Sequence, residues 1–261
     1  MARVSLSLAC CDYDRTQALF HGTVAIEGCD VVPVALHPEQ AFHRAFKYQE
    51  FDVTELSMSG YMAQVSRGGS PYVGIPVFPS RAFRHSAIYV RTDRGITAPG
   101  HLKGRLVGAP NYQMTAAVWV RGILQDEFGV RPADLRWRIG GQEEPGRTEM
   151  VPVALPEDVE VASIGPQQTL SRMLDDGALD AMISAKAPSC FERNPHVARL
   201  FPAYREVEAA YYEKTRLFPI MHLVGVRRTL VEKHPWLPVS VFNAFVEAKA
   251  RCYRNQAEIG H

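Results

Sequence analysis

Arginine, histidine and paired glutamates cluster at a few places in this chain, and these are the residue types that hold carboxylates and move protons. Phe78-Pro-Ser-Arg-Ala-Phe-Arg-His85 packs two arginines and a histidine into five residues. A guanidinium grips a carboxylate through two parallel hydrogen bonds, which makes Arg81 and Arg84 candidates for holding an anion. His85 is a candidate for proton transfer near neutral pH, and His222, at the start of the apolar run ending at Val226, is a second. Gly140-Gly-Gln-Glu-Glu-Pro-Gly-Arg147 supplies Glu143 and Glu144, which serve as acid or base where burial raises a carboxyl pKa, together with Arg147. An exposed acidic turn explains the same residues equally well, and Asp12-Tyr-Asp-Arg15 is a similar case.

Asn111-Tyr-Gln-Met-Thr115 stands between a strand and a helix. Backbone N–H groups at a helix start attract carboxylates, so Tyr112, Gln113 and Thr115 are candidate anion contacts. Asn111 and Thr115 serve equally as helix caps. Ser57 and Ser59 follow one strand, and Ser184 and Lys186 follow another. Their hydroxyl and ammonium groups suit a polar ligand, while capping and solvation are the plainer uses.

The elements that must position these residues repeat one plan. The first copy reads as a strand at Val4 to Ala9, a short helix near Asp14 to Phe20, a strand at Asp30 to Leu36, a helix at Pro38 to Tyr48 and a strand at Phe51 to Ser57. The second reads as a strand at Arg105 to Ala109, a helix at Thr115 to Phe128 stopped by Gly129, and a strand at Leu135 to Ile139. A Gly/Pro/Glu-rich insertion follows, then a helix near Gln168 to Asp176 and a strand at Leu179 to Ser184. The closing segments Phe51-Asp-Val-Thr-Glu-Leu-Ser57 and Leu179-Asp-Ala-Met-Ile-Ser184 share an apolar-Asp step before the strand. Repeated β-α-β-α-β units predict parallel sheets with helices on their faces and ligands beyond the strands' carboxyl ends. The expectation is a two-lobed α/β protein whose sheets face one another across a cleft. One lobe is placed at 1–88 with 223–261 and the other at 89–222, with His85 to Val90 and Pro219 to Val226 as hinge strands.

Of the 261 residues, 46% are hydrophobic and 22% charged, which excludes a disordered chain. The net charge of +1 and the lack of a basic run argue against nucleic acid as partner. The five cysteines form no CxxC, and the count is odd, so neither a disulfide framework nor a zinc site is expected and a reducing, cytoplasmic compartment fits. The apolar stretch from Met1 to Cys10 is too short and too serine-rich for a signal sequence, and no run reaches the ~18 apolar residues of a membrane helix. The histidines show no metal-ligand spacing.

Leu8-Ala-Cys-Cys-Asp-Tyr-Asp-Arg-Thr16, the Phe78 to Ser86 segment, Tyr112-Gln-Met-Thr-Ala-Ala-Val-Trp-Val-Arg121, the Gly140 to Arg147 segment and Phe218-Pro-Ile-Met-His222 resemble 4,5-dihydroxyphthalate decarboxylases. The resemblance runs from about residue 4 to about residue 250. Leu102-Lys-Gly-Arg and the strand and helix after it are similar to the solute-binding proteins of ABC importers, which implies the type II periplasmic-binding fold. Family members continue past the helix near Val239 to Tyr253, and their counterpart of Ser184 to Pro188 is richer in arginine. The resemblance implies a small anionic aromatic substrate, 4,5-dihydroxyphthalate, which loses one carboxylate to give protocatechuate and CO2. No redox step is involved, so no nicotinamide or flavin cofactor is expected. From the residues themselves, His85 is the first choice of proton donor and His222 the second, with Glu143 or Glu144 taking a phenol proton and Arg81 or Arg84 holding a carboxylate. Two alternatives stay open: a solute-binding protein without catalysis, and an enzyme of the same fold acting on another aromatic acid. A homo-oligomer is compatible with either.

Overall fold

The computed structural model describes residues 3–260. Met1 and Ala2 of the opening stretch and His261 of the tail lie outside the described residues. The strands are β1 (Val4–Cys10), β2 (Cys29–Ala35), β3 (Val53–Ser57), β4 (Tyr72–Arg81), β5 (Ile88–Arg91), β6 (Leu106–Ala109), β7 (Arg136–Ile139), β8 (Val161–Ser163), β9 (Ala181–Ile183), β10 (Val197–Arg199) and β11 (Ile220–Arg227). The helices are α1 (Gln17–Phe20), α2 (Pro38–Tyr48), α3 (Met58–Val65), α4 (Thr115–Phe128), α5 (Leu170–Asp175), α6 (Tyr204–Thr215), α7 (Arg228–Lys233) and α8 (Leu237–Glu258).

The chain forms two α/β units. One holds the residues up to Arg81 and those from Ile220 on, and the other is Ala82–Pro219. The division falls at 81 and 219 rather than at 88 and 222, because β4 stays paired with β11, through two register shifts, until Arg81 meets Ile220. The chain therefore changes unit at the ends of β4 and β11. His85 to Ala87 is a single 3-10 turn closed by the Ala87 N–H on the Arg84 carbonyl at 3.1 Å, so it is not the first part of a strand.

The first unit's sheet has the order β2-β1-β3-β11-β4, and the second unit's is β10-β5-β9-β6-β7-β8. The expected parallel core is present in each, with β1 parallel to β2 and β3, and β6 parallel to β7 and β9. Each sheet also takes in antiparallel strands, β11 against β3 and β5 against β9, so both are mixed. The repeat seen in the sequence has a shared structural basis. Asp52 accepts the Ser7 N–H of β1 at 2.8 Å, and Asp180 accepts the Leu106 N–H of β6 at 2.9 Å. The Asp52 carbonyl accepts the Arg227 N–H at the end of β11, and the Asp180 carbonyl accepts the Arg91 N–H at the end of β5. The repeated aspartate thus ties β1 to β3 in one unit and β6 to β9 in the other, while its backbone ties the antiparallel strand.

Burial fixes the layers. In the first unit α8 lays Leu237, Val241, Ala244, Phe245 and Ala248 against Leu6, Leu8, Val53, Val224 and Val226, a helical stripe on an alternating sheet face. Ala45, Leu56, Tyr72 and Leu223 form a second cluster. In the second unit α4 contributes Ala117, Val120 and Leu124 to a core around Trp137, and α5 contributes Leu170 and Leu174 to another. Helix α4 ends where Gly129 takes φ 63°, as its sequence requires. Helix α5 starts at Leu170, later than expected, because Gln168 turns back to accept the Gly165 N–H and Thr169 caps the helix. Strand β8, inside the insertion, has too few residues to show an alternation. No helix among the described residues is long and apolar enough to cross a membrane.

Candidate active site

On one face of the first unit's sheet, the apolar series gives way to polar groups towards the carboxyl ends of β1 and β3. Leu6 and Leu8 lead to Cys10, Val53 leads to Glu55 and Ser57, and on the antiparallel partner Val226 and Val224 lead to His222. His222 pairs in register with Ser57, and Val224 with Glu55, so His222 and Glu55 are diagonal neighbours.

Glu55 is 0% exposed. It accepts from His222 Nδ1 at 2.7 Å and from the Tyr13 hydroxyl at 2.8 Å through Oε1, and from the Cys11 N–H at 3.0 Å and Cys10 Sγ at 3.4 Å through Oε2. Burial pushes the carboxyl pKa up, but the His222, Cys11 and Tyr13 donors together outweigh it, and the net direction is down. Burial and the Glu55 charge push the Tyr13 phenol and the Cys10 thiol up. The cluster is therefore one carboxylate surrounded by donors. An ionised carboxylate only accepts, so His222 carries a proton on Nδ1. No described residue bonds its Nε2. Phe42 meets the imidazole edge to face with centroids 4.8 Å apart, which fixes the ring's orientation.

The duplicated unit shows that the fold does not need this carboxylate. Val226 opposite Val53 corresponds in register to Val90 opposite Ala181, and Val224 opposite Glu55 corresponds to Ile88 opposite Ile183. Where one unit buries Glu55, the other buries Ile183. A buried charge costs several kcal/mol before its partners repay it, at roughly the scale of a domain's net stability. An isoleucine at the repeated position packs without that cost.

The other expected residues fall into several places. Ser57 accepts the Gly60 N–H and caps α3, and its Oγ lies 3.4 Å from that of Ser59. Arg81 is exposed beside Phe78, its guanidinium 5.3 Å from the ring centre. Burial pushes the Arg84 pKa down, opposed by Glu208. His85 is 1% exposed, wedged between the Phe201 and Tyr211 rings at 5.6 and 5.2 Å. Burial pushes its pKa down, opposed by Glu127, and no described residue bonds its Nδ1.

Asn111, expected as a cap of α4, does not cap it. Its side chain donates to the Thr148 carbonyl at 3.1 Å and accepts from Arg147 Nε at 2.8 Å. Thr115 is the first helical residue and supplies no cap either. The Tyr112 N–H, expected to meet a ligand's carboxylate, donates to Glu149 Oε1 instead. Burial pushes the Glu149 pKa up against the opposing pull of that N–H, and its Oε2 has no partner among the described residues. Gln113 and Thr115 are buried. Arg121 lies 3.8 Å over the Tyr112 ring and donates to the Tyr112 carbonyl at 2.6 Å.

Glu143 accepts from the Ser171 hydroxyl at 2.5 Å, and from the Ser189 hydroxyl and N–H at 2.6 and 3.0 Å. Burial raises its pKa, but these donors prevail and the net direction is down, so it is a carboxylate clamp that joins α5 to the loop at Ser189. Gln142 accepts from Ser184 and donates to the Lys186 carbonyl. Glu144 and Lys186 are exposed. A Cβ on Gly141 would lie 1.6 Å from the Glu144 carbonyl oxygen, so only glycine allows this turn.

Glu55, Tyr13, Arg121 and Glu149 carry this geometry without having been singled out for it in the sequence. The signal for Glu55 was present, as an acid within an apolar strand whose repeat carries isoleucine.

A 4,5-dihydroxyphthalate decarboxylase from Comamonas testosteroni is 47% identical over 251 residues, spanning 96% of this chain and 76% of that protein. The chain belongs to the 4,5-dihydroxyphthalate decarboxylase family. A second member, from Pseudomonas putida, is 45% identical over 80% of the chain and 81% of its own length. No family model matches the chain. Among solved structures, the periplasmic aliphatic sulphonate binding protein of Escherichia coli superposes with a TM-score of 0.53 over 97% of this chain and 76% of that one, at 16% identity. The alkanesulfonate-binding protein of Xanthomonas axonopodis pv. citri gives 0.52 over 99% and 76%, at 11% identity. The fold is that of the type II periplasmic binding proteins, two α/β units linked through β4 and β11.

Proposed function

We propose that the chain decarboxylates 4,5-dihydroxyphthalate to protocatechuate and CO2, and that the Glu55–His222 pair supplies the proton. The family membership supports the substrate, and the buried carboxylate on His222 Nδ1 carries the mechanistic reading. The reaction replaces a ring carboxylate by hydrogen, so its difficulty is protonation of the ring carbon that bears the departing group. Protonated His222 gives the Nε2 proton to that carbon while Glu55 stabilises the imidazolium beforehand. The hydroxyl para to the carboxylate pushes electron density to the same carbon. The C–C bond then breaks, its electron pair restores the aromatic ring, CO2 leaves and His222 is reprotonated from water. Ser57, opposite His222 in register, and Ser59, whose Oγ lies 3.4 Å from that of Ser57, are hydroxyl partners for the substrate's polar groups.

This reading prefers His222 to His85, because His85 is enclosed by aromatic rings and its pKa is pushed down. The five free cysteines fit a reducing compartment, and we place the reaction in the cytoplasm. The test is to incubate the purified chain with 4,5-dihydroxyphthalate and follow both products. One CO2 and one protocatechuate per substrate consumed is the expected result. Saturable binding of the substrate with no product would overturn catalysis and favour a binding protein.

A further inference from the structure

A cavity of about 290 Å³ in the first unit is lined by Phe78, Phe245 and Val246 and by three cations, Arg15, Arg81 and Lys249. Tyr13, Glu55 and His222 do not line it. We propose that this cavity binds a monocyclic aromatic carboxylate, at a site separate from the Glu55–His222 pair.

The charge balance points to an anion. Arg15 is partly satisfied, since its Nη1 meets Asp14 at 3.0 Å and its Nε donates to the Pro79 carbonyl at 2.7 Å. Arg81 and Lys249 have no carboxylate within ion-pair distance among the described residues. Their nearest recorded partners are rings, Phe78 for Arg81 at 5.3 Å and Tyr253 for Lys249 at 5.9 Å. Two cations facing an apolar hollow without a counter-ion match a ligand with a carboxylate at one end and a ring at the other. Small-molecule pockets begin at about 300 Å³, so this hollow has room for a single-ring acid.

The position adds a second argument. Phe245 is only 5% exposed, and Val246, the next residue of α8, is 46% exposed, so the hollow runs from the core of the unit to its surface. Arg15 stacks 4.0 Å over the Tyr13 ring, and Tyr13 bonds Glu55. The cavity therefore abuts the polar cluster without being part of it. The proposal does not depend on the decarboxylation reading, since it concerns binding alone.

The probe is 4-fluorobenzoate, titrated into the full chain and followed by 19F NMR and calorimetry, with Lys249→Ala, Val246→Trp and His222→Gln compared with the parent. Saturable binding is expected in the parent. Lys249→Ala should weaken it about tenfold, the scale of one charge-assisted hydrogen bond. Val246→Trp, which fills the hollow from a half-exposed position on α8, should weaken it at least as much, and His222→Gln should leave it unchanged. Absence of saturable binding to the parent overturns the proposal. So does unaltered binding in both α8 variants, or weakening confined to His222→Gln, which would place the ion at the Glu55–His222 pair. None of these readings uses turnover, so a chain inactive on 4,5-dihydroxyphthalate leaves the test intact.

Discussion

Replacing Glu55 by glutamine changes the charge at the centre of the cluster and almost none of its volume. The wild-type carboxylate accepts from His222, Tyr13, Cys11 and Cys10, and glutamine keeps one oxygen acceptor while turning the other position into a donor. A hydrogen bond to a charged acceptor contributes about 1.5–3 kcal/mol and a neutral one about 0.5–1.5, so the bond that stabilises the imidazolium weakens by about 1–2 kcal/mol. With about 1.4 kcal/mol per tenfold, kcat should fall about 5- to 30-fold. KM should stay within about twofold, since Glu55 is fully buried and its partners are protein groups. The assay is the steady-state rate of protocatechuate formation from roughly pH 6 to 8, where a histidine titrates, with near-UV circular dichroism to confirm packing. If kcat stays within about twofold of the parent across that range, Glu55 does not support a proton donor and the reasoning is refuted.

Three further outcomes follow from the same geometry. His85→Phe should keep the fold and kcat within about threefold, because the ring sits among Phe201 and Tyr211, and a larger loss of kcat at constant KM would return the proton-donor role to His85. Glu149→Gln should raise Tm at neutral pH. The folded-state pKa of Glu149 is pushed above the unfolded value of 4.5, so its favourable contribution exists below that value and is lost as pH rises through the folded pKa. The gain should shrink as the pH is lowered towards 4.5, and a pH-independent or negative difference would contradict the stated direction. Gly141→Ala should lower Tm by disturbing the turn that presents Glu143 to Ser171 and Ser189, since the new Cβ meets the Glu144 carbonyl, and an unchanged Tm would show that the turn relaxes freely.

The parts of the fold that were legible are those set by local pattern. Helix α4 could be bounded at both ends because an apolar stripe and a terminal glycine both act within a few residues. The repeated apolar-Asp step was visible as a sequence likeness, and its cause, an aspartate on a neighbouring strand's N–H, was not, because that contact spans 45 residues in one unit and 74 in the other. The candidate site was less legible for the same reason. His222 was recognisable by type, but its rank over His85 depends on what surrounds each ring, which is Glu55 for one and two aromatic side chains for the other. Glu149 reaches the Tyr112 N–H across 37 residues of chain through an insertion without periodicity, so nothing local announced it. Arg84 and His85 looked equivalent to Arg81 as a cluster, yet a 3-10 turn and burial separate their environments.

The most direct test of the central claim is the rate of CO2 release from 4,5-dihydroxyphthalate by His222→Gln beside the parent chain. Loss of a general acid predicts a kcat lower by about 100- to 10,000-fold with KM little changed. A variant that releases CO2 as fast as the parent would contradict the account, because the proton would then come from elsewhere.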